Sequence, residues 1–358
     1  MTDPLLAVEG LETTVLADGE AVRAVDGVDF TVGRGETVCL VGESGSGKTL
    51  TCQSLTGLVR PPVEVTGGSV RFDGTELVGA GAATLRRVRG DRVAHVFQNP
   101  QQALDPVYTV GDQVAEALTV HRDVGEAAAR ERAVDLLDRV GIPRADVRVD
   151  DYPHEFSGGM RQRVAIAVAL AADPDLVVAD EPTTAVDVTV QARLLELLGD
   201  VTADGTALLL VTHDLRVVAA LADRVLAMYG GTVVERGPVG RVFEAPAHPY
   251  TQALFDSFRT GGGPPEEPAA DRDARAREDL PADGCRFREE CPHAVEACAG
   301  GDQPSFHAVD GADAPVAASD APADRDGHVA SCVYYGPDRD PARVLADSAS
   351  LSGGEGDD

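Results

Sequence analysis

The residues Gly42-Glu43-Ser44-Gly45-Ser46-Gly47-Lys48-Thr49 fit G-x-x-x-x-G-K-[ST], between a short apolar run, Thr37–Val41, and a helical pattern that starts at Lys48. No other stretch limits the fold as strongly. Glycines at these positions let successive backbone N–H groups turn into one anion-binding nest, and the helix N-terminus adds its dipole. In that arrangement Lys48 reaches the β- and γ-phosphates of a nucleotide, and the Thr49 hydroxyl ligates Mg²⁺. A plain glycine-rich strand–helix turn does not need all eight residues.

Composition isolates the same spot. Lys48 is the only lysine among 358 residues, and the other thirty basic residues are arginines. The formal net charge is −29, which repels nucleic acid, so a bound phosphate is held locally against the global field. An acidic surface almost without lysine suits concentrated salt, where at about 1 M the Debye length is roughly 3 Å. A GC-rich genome is the alternative source of the same arginine bias. Met1-Thr2-Asp3-Pro4 carries no basic leader region. The longest apolar run, Val164–Ala172, is half of the roughly 18 residues that a membrane span needs. The chain is expected on the cytoplasmic side, with any transport role exercised through a membrane partner.

Strand patterns at 5–11, 22–32, 37–41, 65–74, 93–97, 175–180 and 207–212 alternate with helical ones at 110–172, 188–201 and 214–222. A hairpin over 224–237 turns at Gly230-Gly231, and Gly141-Ile142-Pro143 and 150–154 break the long helical stretch. This order predicts an α/β fold: a mainly parallel sheet with an N-terminal antiparallel part and an inserted helical subdomain over about 100–172. After residue 258 the character changes. Residues 261–358 hold 22 acidic and 8 basic side chains. They read as an acidic linker (259–283), a cysteine-bearing extension (284–336) and a disordered acidic tail (337–358).

Two further segments carry chemistry. The apolar strand Leu176-Val177-Val178-Ala179 ends on Asp180-Glu181, which places Asp180 beside a metal and leaves Glu181 to polarise a water. Phe156-Ser157-Gly158-Gly159-Met160 opens a long helix with a hydroxyl and bare N–H groups, a second phosphate-binding device. One nucleotide does not need two such devices from one chain, so the second is expected to face a nucleotide held by another subunit.

With these segments in this order, residues 5–240 resemble the ABC ATPases, whose P-loop NTPase core carries the signature Leu-Ser-Gly-Gly-Gln. The resemblance implies that Gln98 is the Q-loop glutamine, that His213 is the switch histidine at the γ-phosphate, and that Asp187 is the D-loop aspartate at the dimer interface. The signature departs at Phe156 and Met160, and the D-loop at Val186. Where an adenine-stacking aromatic is common the chain has Val15-Leu16, leaving adenine to apolar side chains such as Val22.

His248-Pro249-Tyr250-Thr251-Gln252-Ala253-Leu254 and the stretch Gln98–Val107 resemble the oligopeptide/dipeptide importer branch, as do Gly284-Cys285-Arg286-Phe287 and Cys291-Pro292-His293. That resemblance implies ATP and Mg²⁺, two permease subunits, a second ATPase subunit and an extracytoplasmic solute-binding protein. Nickel or a glycoside is the alternative cargo. A soluble ABC ATPase on DNA or ribosomes is the alternative class, without the coiled coils, second cassette or basic surface usual there. In the branch, four cysteines such as Cys285, Cys291, Cys298 and Cys332 are associated with an iron–sulfur cluster. By spacing they could also hold zinc or stay unliganded. Cys39, in an apolar strand, and Cys52, in the P-loop helix, read as core.

Overall fold

The computed structural model describes residues 3–17, 20–98, 103–183, 188–259, 280–281, 283–309, 327–337 and 339–349. They fall into two compact units, each treated separately. One comprises Met1–Thr31, Val38–Val78 and His213–Asp358, the other Val32–Thr37 and Gly79–Thr212. The helical stretch shares its unit with strands. The described residues of the extension belong to the first unit.

In the first unit, β1 (Leu6–Ala17), β2 (Glu20–Val32), β4 (Val63–Phe72) and β5 (Thr75–Glu76) form a sheet in the order β2-β1-β4-β5. β1 runs antiparallel to β4 from Leu6↔Phe72 to Val15↔Val63. β3 (Thr37–Val41) lies parallel to β9 (Arg224–Tyr229), with Val38↔Arg224 and Val41↔Ala227 in register. β10 (Thr232–Pro238) returns antiparallel to β9. The hairpin is two-sided core: β9 is buried along its whole length, as expected of a strand covered on both faces.

The extension continues this sheet. β12 (Val329–Ala330) adds antiparallel to β10 with Glu235↔Ala330 and Arg236↔Val329, and β11 (His307–Ala308) pairs with β12. Two islands too small to fold alone are ordered by pairing with a sheet edge already present. The expectation of disorder over 337–358 is corrected for part of its length. Ala342–Ala349 is helical, Val344 is fully buried, and its carbonyl accepts from Gln252 Nε2 at 2.9 Å. A short apolar stripe finds a partner there that net charge does not reveal.

In the second unit, β6 (Val93–Val96), β7 (Leu176–Asp180) and β8 (Ala207–Val211) are parallel, with β7 between its neighbours. α3 (Val110–Thr119) starts at Thr109, whose hydroxyl accepts from Asp112 N, and buries Val110, Val114 and Leu118 at i, i+4 and i+8. α4 (Glu126–Arg139) follows a break at 120–125 that the sequence pattern did not show. It ends in a Schellman motif: Gly141 N donates to Asp138 O, and Ile142 N to Leu137 O, with Gly141 at φ 74°. Pro143 then prevents continuation.

Candidate functional site: a phosphate loop and a paired carboxylate

The glycine-rich loop joins β3 to α1 (Lys48–Leu55). Gly42 has φ 153°, and a Cβ there would lie 2.2 Å from Met228 O; Gly47 has φ 103°, and a Cβ would lie 2.6 Å from Ala24 O. Both positions exclude a side chain by space as well as by backbone conformation. Lys48 is buried (6% exposed), and its Nζ donates to Gly42 O (2.9 Å), Glu43 O (2.6 Å) and Ser46 Oγ (3.2 Å). The ammonium is thus centred on the loop, where a polyphosphate would meet it. Ser46 is buried, Glu43 and Ser44 are exposed, and Gly45 and Thr49 are half-buried. His213 in the same unit is exposed. Leu16 is 50% exposed at the tip of β1, an uncovered apolar side chain near the place where an aromatic was missed.

In the other unit, β7 is buried through Asp180, which is 7% exposed. Glu181 then leaves the strand at φ 47°, unusual for a residue with a Cβ. Its N–H still donates to Val211 O at 2.9 Å, and its Oε2 accepts from Gln98 Nε2 at 2.9 Å. The structure therefore brings Gln98 and Glu181 together from the ends of two strands. Backbone strain at such a site persists only where neighbours over-determine it. Asp187 lies outside the described residues, as do residues 99–102 of the Q-loop stretch.

Ser157 is the N-cap of α6 (Gly158–Leu170), its hydroxyl accepting from Met160 N at 3.3 Å. A Cβ on Gly158 would meet nothing within 4 Å, so this helix end faces open space. Phe156 and Met160, the two departures from the signature, share a neighbour: the Arg148 guanidinium lies 4.3 Å from the Phe156 ring centroid, and its Nη1 donates to Met160 Sδ at 3.6 Å. The substitutions form one packed group on the scaffold side of the cap.

The importer-like segment is built round a carboxylate that the sequence reading missed. Glu235 is fully buried; it accepts from Ala247 N (2.8 Å), His248 N (2.7 Å) and His328 Nε2 (2.7 Å). Its signal was present: a glutamate inside the apolar strand Val233-Val234-Glu235. His248 Nδ1 accepts from Tyr250 N at 3.1 Å and caps α10 (Pro249–Arg259). Burial lowers the His248 pKa to about 4, against a smaller opposing effect of Glu235.

All six cysteines are unbridged. Cys39 and Cys52 are core, as expected. Burial raises the Cys285 thiol to about 11 and the Cys332 thiol to about 12, and raises Cys291 as well. These three accept backbone hydrogen bonds from Phe287, Tyr334 and His293 respectively, and a thiolate at a neighbouring cysteine of the island would raise Cys332 further. Among the described residues, no group of three or more His, Cys, Asp or Glu side chains stands ready to hold a metal ion. No described helix is long and apolar enough to cross a membrane.

Comparison with known proteins places these features. Residues 25–184 match the ABC transporter family, and 234–298 match the C-terminal region of oligopeptide/dipeptide transporters. The chain is 45% identical over 296 residues to the oligopeptide transport ATP-binding protein AppD of Bacillus subtilis (strain 168), covering 82% of this chain and 90% of AppD. Among solved structures, the dimeric post-hydrolysis state of the ATP-binding cassette MJ0796 bound to ADP and Pi aligns at TM-score 0.60 and 27% identity. That alignment covers 65% of this chain and 98% of the cassette. CbiO1 from Clostridium perfringens, part of the ABC transporter complex cbiONQ, aligns at 0.57 and 27% identity, covering 68% and 91%. A phosphate loop centred on Lys48, the Gln98–Glu181 pair, the Ser157 cap and the His-Pro-Tyr region thus occur together in one chain, which belongs to the ATP-hydrolysing ATP-binding subunits of the oligopeptide/dipeptide ABC transporter family.

Proposed function

We propose that this chain hydrolyses MgATP at the cytoplasmic face of a membrane to energise import of di- and oligopeptides. The carrying observation is the union in one chain of the nucleotide loop with the His-Pro-Tyr region matched over 234–298. The loop residues 42–49 would hold the phosphates. Thr49, Asp180 and Gln98 would hold Mg²⁺, which supplies charge neutralisation at the phosphates. Asp180 suits that role by its burial at a strand end. Glu181 polarises the attacking water, Gln98 orients Glu181, and His213 contacts the γ-phosphate.

Ser157, Gly158 and Gly159 present a helix N-terminus to the nucleotide of a second, related ATPase subunit, with Asp187 at that interface. The open space at Gly158 supports this reading. The other partners are two permease subunits and an extracytoplasmic solute-binding protein. The test is reconstitution of the chain with its permeases and mate in vesicles. ATP hydrolysis stimulated by peptide-loaded binding protein is the expected result. Stimulation by nickel or a glycoside alone would reassign the cargo, and activity independent of permeases would remove the transport reading.

We further infer, from the cysteine spacing and the resemblance to the importer branch and not from a preformed metal site, that Cys285, Cys291, Cys298 and Cys332 ligate one thiolate-bound group, a [4Fe-4S] cluster ahead of zinc. Three of the four sulfurs already receive a backbone N–H, the support that a thiolate ligand requires. A cation among them would reverse the upward shift that burial gives these thiols.

A further inference from the structure

Tyr250 is 1% exposed, and its phenol oxygen accepts from the backbone N–H of Glu43, the second residue of the phosphate loop, at 2.9 Å. The ring is held by the extension. Its centroid lies 5.5 Å from that of Phe287, edge-on, and 4.7 Å from Tyr229; Tyr229 in turn meets Phe287 edge-on at 5.2 Å. Tyr229 also donates to Glu290 Oε1 at 2.6 Å, a second tie to the cysteine island.

The neighbouring residue reaches the loop from another direction. Arg286 pairs with the Asp26 carboxylate. Asp26 N donates to Gly231 O at 2.9 Å, and Gly231 N donates to Ser46 O at 3.0 Å. Gly230, beside it, packs against the Arg286 side chain: a Cβ there would lie 3.2 Å from Arg286 Cβ. Two consecutive residues thus brace the loop: Phe287 at Glu43 through Tyr250, and Arg286 at Ser46 through Asp26 and Gly231. Cys285 precedes them and accepts the N–H of Phe287.

We propose that the cysteine-bearing extension braces the nucleotide site from behind, and that Tyr250 is the positioning residue through which it fixes the phosphate loop for ATP. A fixed loop presents its N–H groups without an ordering cost at binding, so the contribution falls on nucleotide affinity and not on the hydrolytic step. The proposal rests on nucleotide binding at residues 42–49, which the unsubstituted chain tests separately.

The experiment is calorimetric titration of the full chain with MgATP, paired with steady-state hydrolysis in the assembled transporter. Tyr250→Phe removes one oxygen and keeps the ring. It is expected to weaken MgATP binding about fivefold, the factor that one net hydrogen bond is worth, with the loss in KM and not in kcat. Phe287→Leu, made on the extension, is expected to weaken binding in the same direction. The double variant is expected to show less than the product of the two factors, since both act through one ring. Unchanged affinity in folded Tyr250→Phe, or strictly multiplicative effects, would overturn the proposal. An unsubstituted chain that binds no ATP would instead remove the nucleotide-site reading itself.

Discussion

Gln98 Nε2 donates to Glu181 Oε2 across 2.9 Å, joining the end of one parallel strand to the end of the next. Glu181 sits at φ 47°, and the bond fixes the direction of its carboxylate in a conformation that side-chain-bearing residues avoid.

If Glu181 polarises the attacking water, Glu181→Gln keeps the shape and loses the base. Phosphate release is expected to fall about 10²- to 10⁴-fold, with MgATP affinity retained and ATP trapped between paired subunits. Full multiple-turnover hydrolysis by this variant would remove the base from Glu181.

Lys48→Ala takes away the one ammonium centred on the loop. Charge-assisted hydrogen bonds contribute about 1.5–3 kcal/mol each, so affinity for MgATP is expected to drop at least roughly tenfold. Titration with nucleotide checks this, and an unchanged affinity contradicts the loop's role.

His248 is buried with its pKa lowered from 6.5 to about 4. The unfolded chain therefore binds the proton first, and stability present above pH 6.5 is lost as the pH falls from 6.5 towards 4. The shift is worth on the order of 3 kcal/mol. His248→Asn keeps an acceptor for Tyr250 N and removes the titration. Urea melts across this window are expected to show a flatter acid limb for the variant, and an identical limb would assign the loss to other groups.

Iron and acid-labile sulfide in matched amounts are expected in protein purified anaerobically in high salt, and are expected to be lost in Cys291→Ser. Zinc alone would make the extension a structural knot, and metal-free folded protein would dismiss the ligand set. The same preparation tests the salt reading: with a net charge of −29, melting temperature is expected to rise as KCl is raised from about 0.1 M to about 1 M, where screening shortens from roughly 10 Å to roughly 3 Å.

The parts of this site that the sequence exposed are those written in consecutive residues. The loop at 42–49, the strand ending on Asp180-Glu181 and the helix opened by Ser157 each need only local geometry: the loop joins β3 to α1, the strand is buried through Asp180, and Ser157 caps Gly158–Leu170. The Schellman stop at Gly141 was legible for the same reason. What escaped is tertiary. Tyr250 belongs to a recognisable segment, yet nothing in its neighbours announces a bond to Glu43, 207 residues earlier. Glu235 was a charged residue in an apolar strand, a visible anomaly whose partners are far away in the chain. The helix at 342–349 sits in an acidic stretch whose composition predicts disorder, and it is ordered by Val344 packing and by Gln252.

The partners of Glu235 have a consequence for the order in which the chain can be completed during synthesis. Its third partner, His328, is made 93 residues after it. Until that histidine emerges from the ribosome, a carboxylate destined for full burial keeps only the two backbone donors of Ala247 and His248, and burying a charge with a partner missing is costly. The buried carboxylate of the nucleotide-binding unit therefore gains its last partner late, and a chain cut short before residue 328 carries a complete phosphate loop on an incompletely closed core.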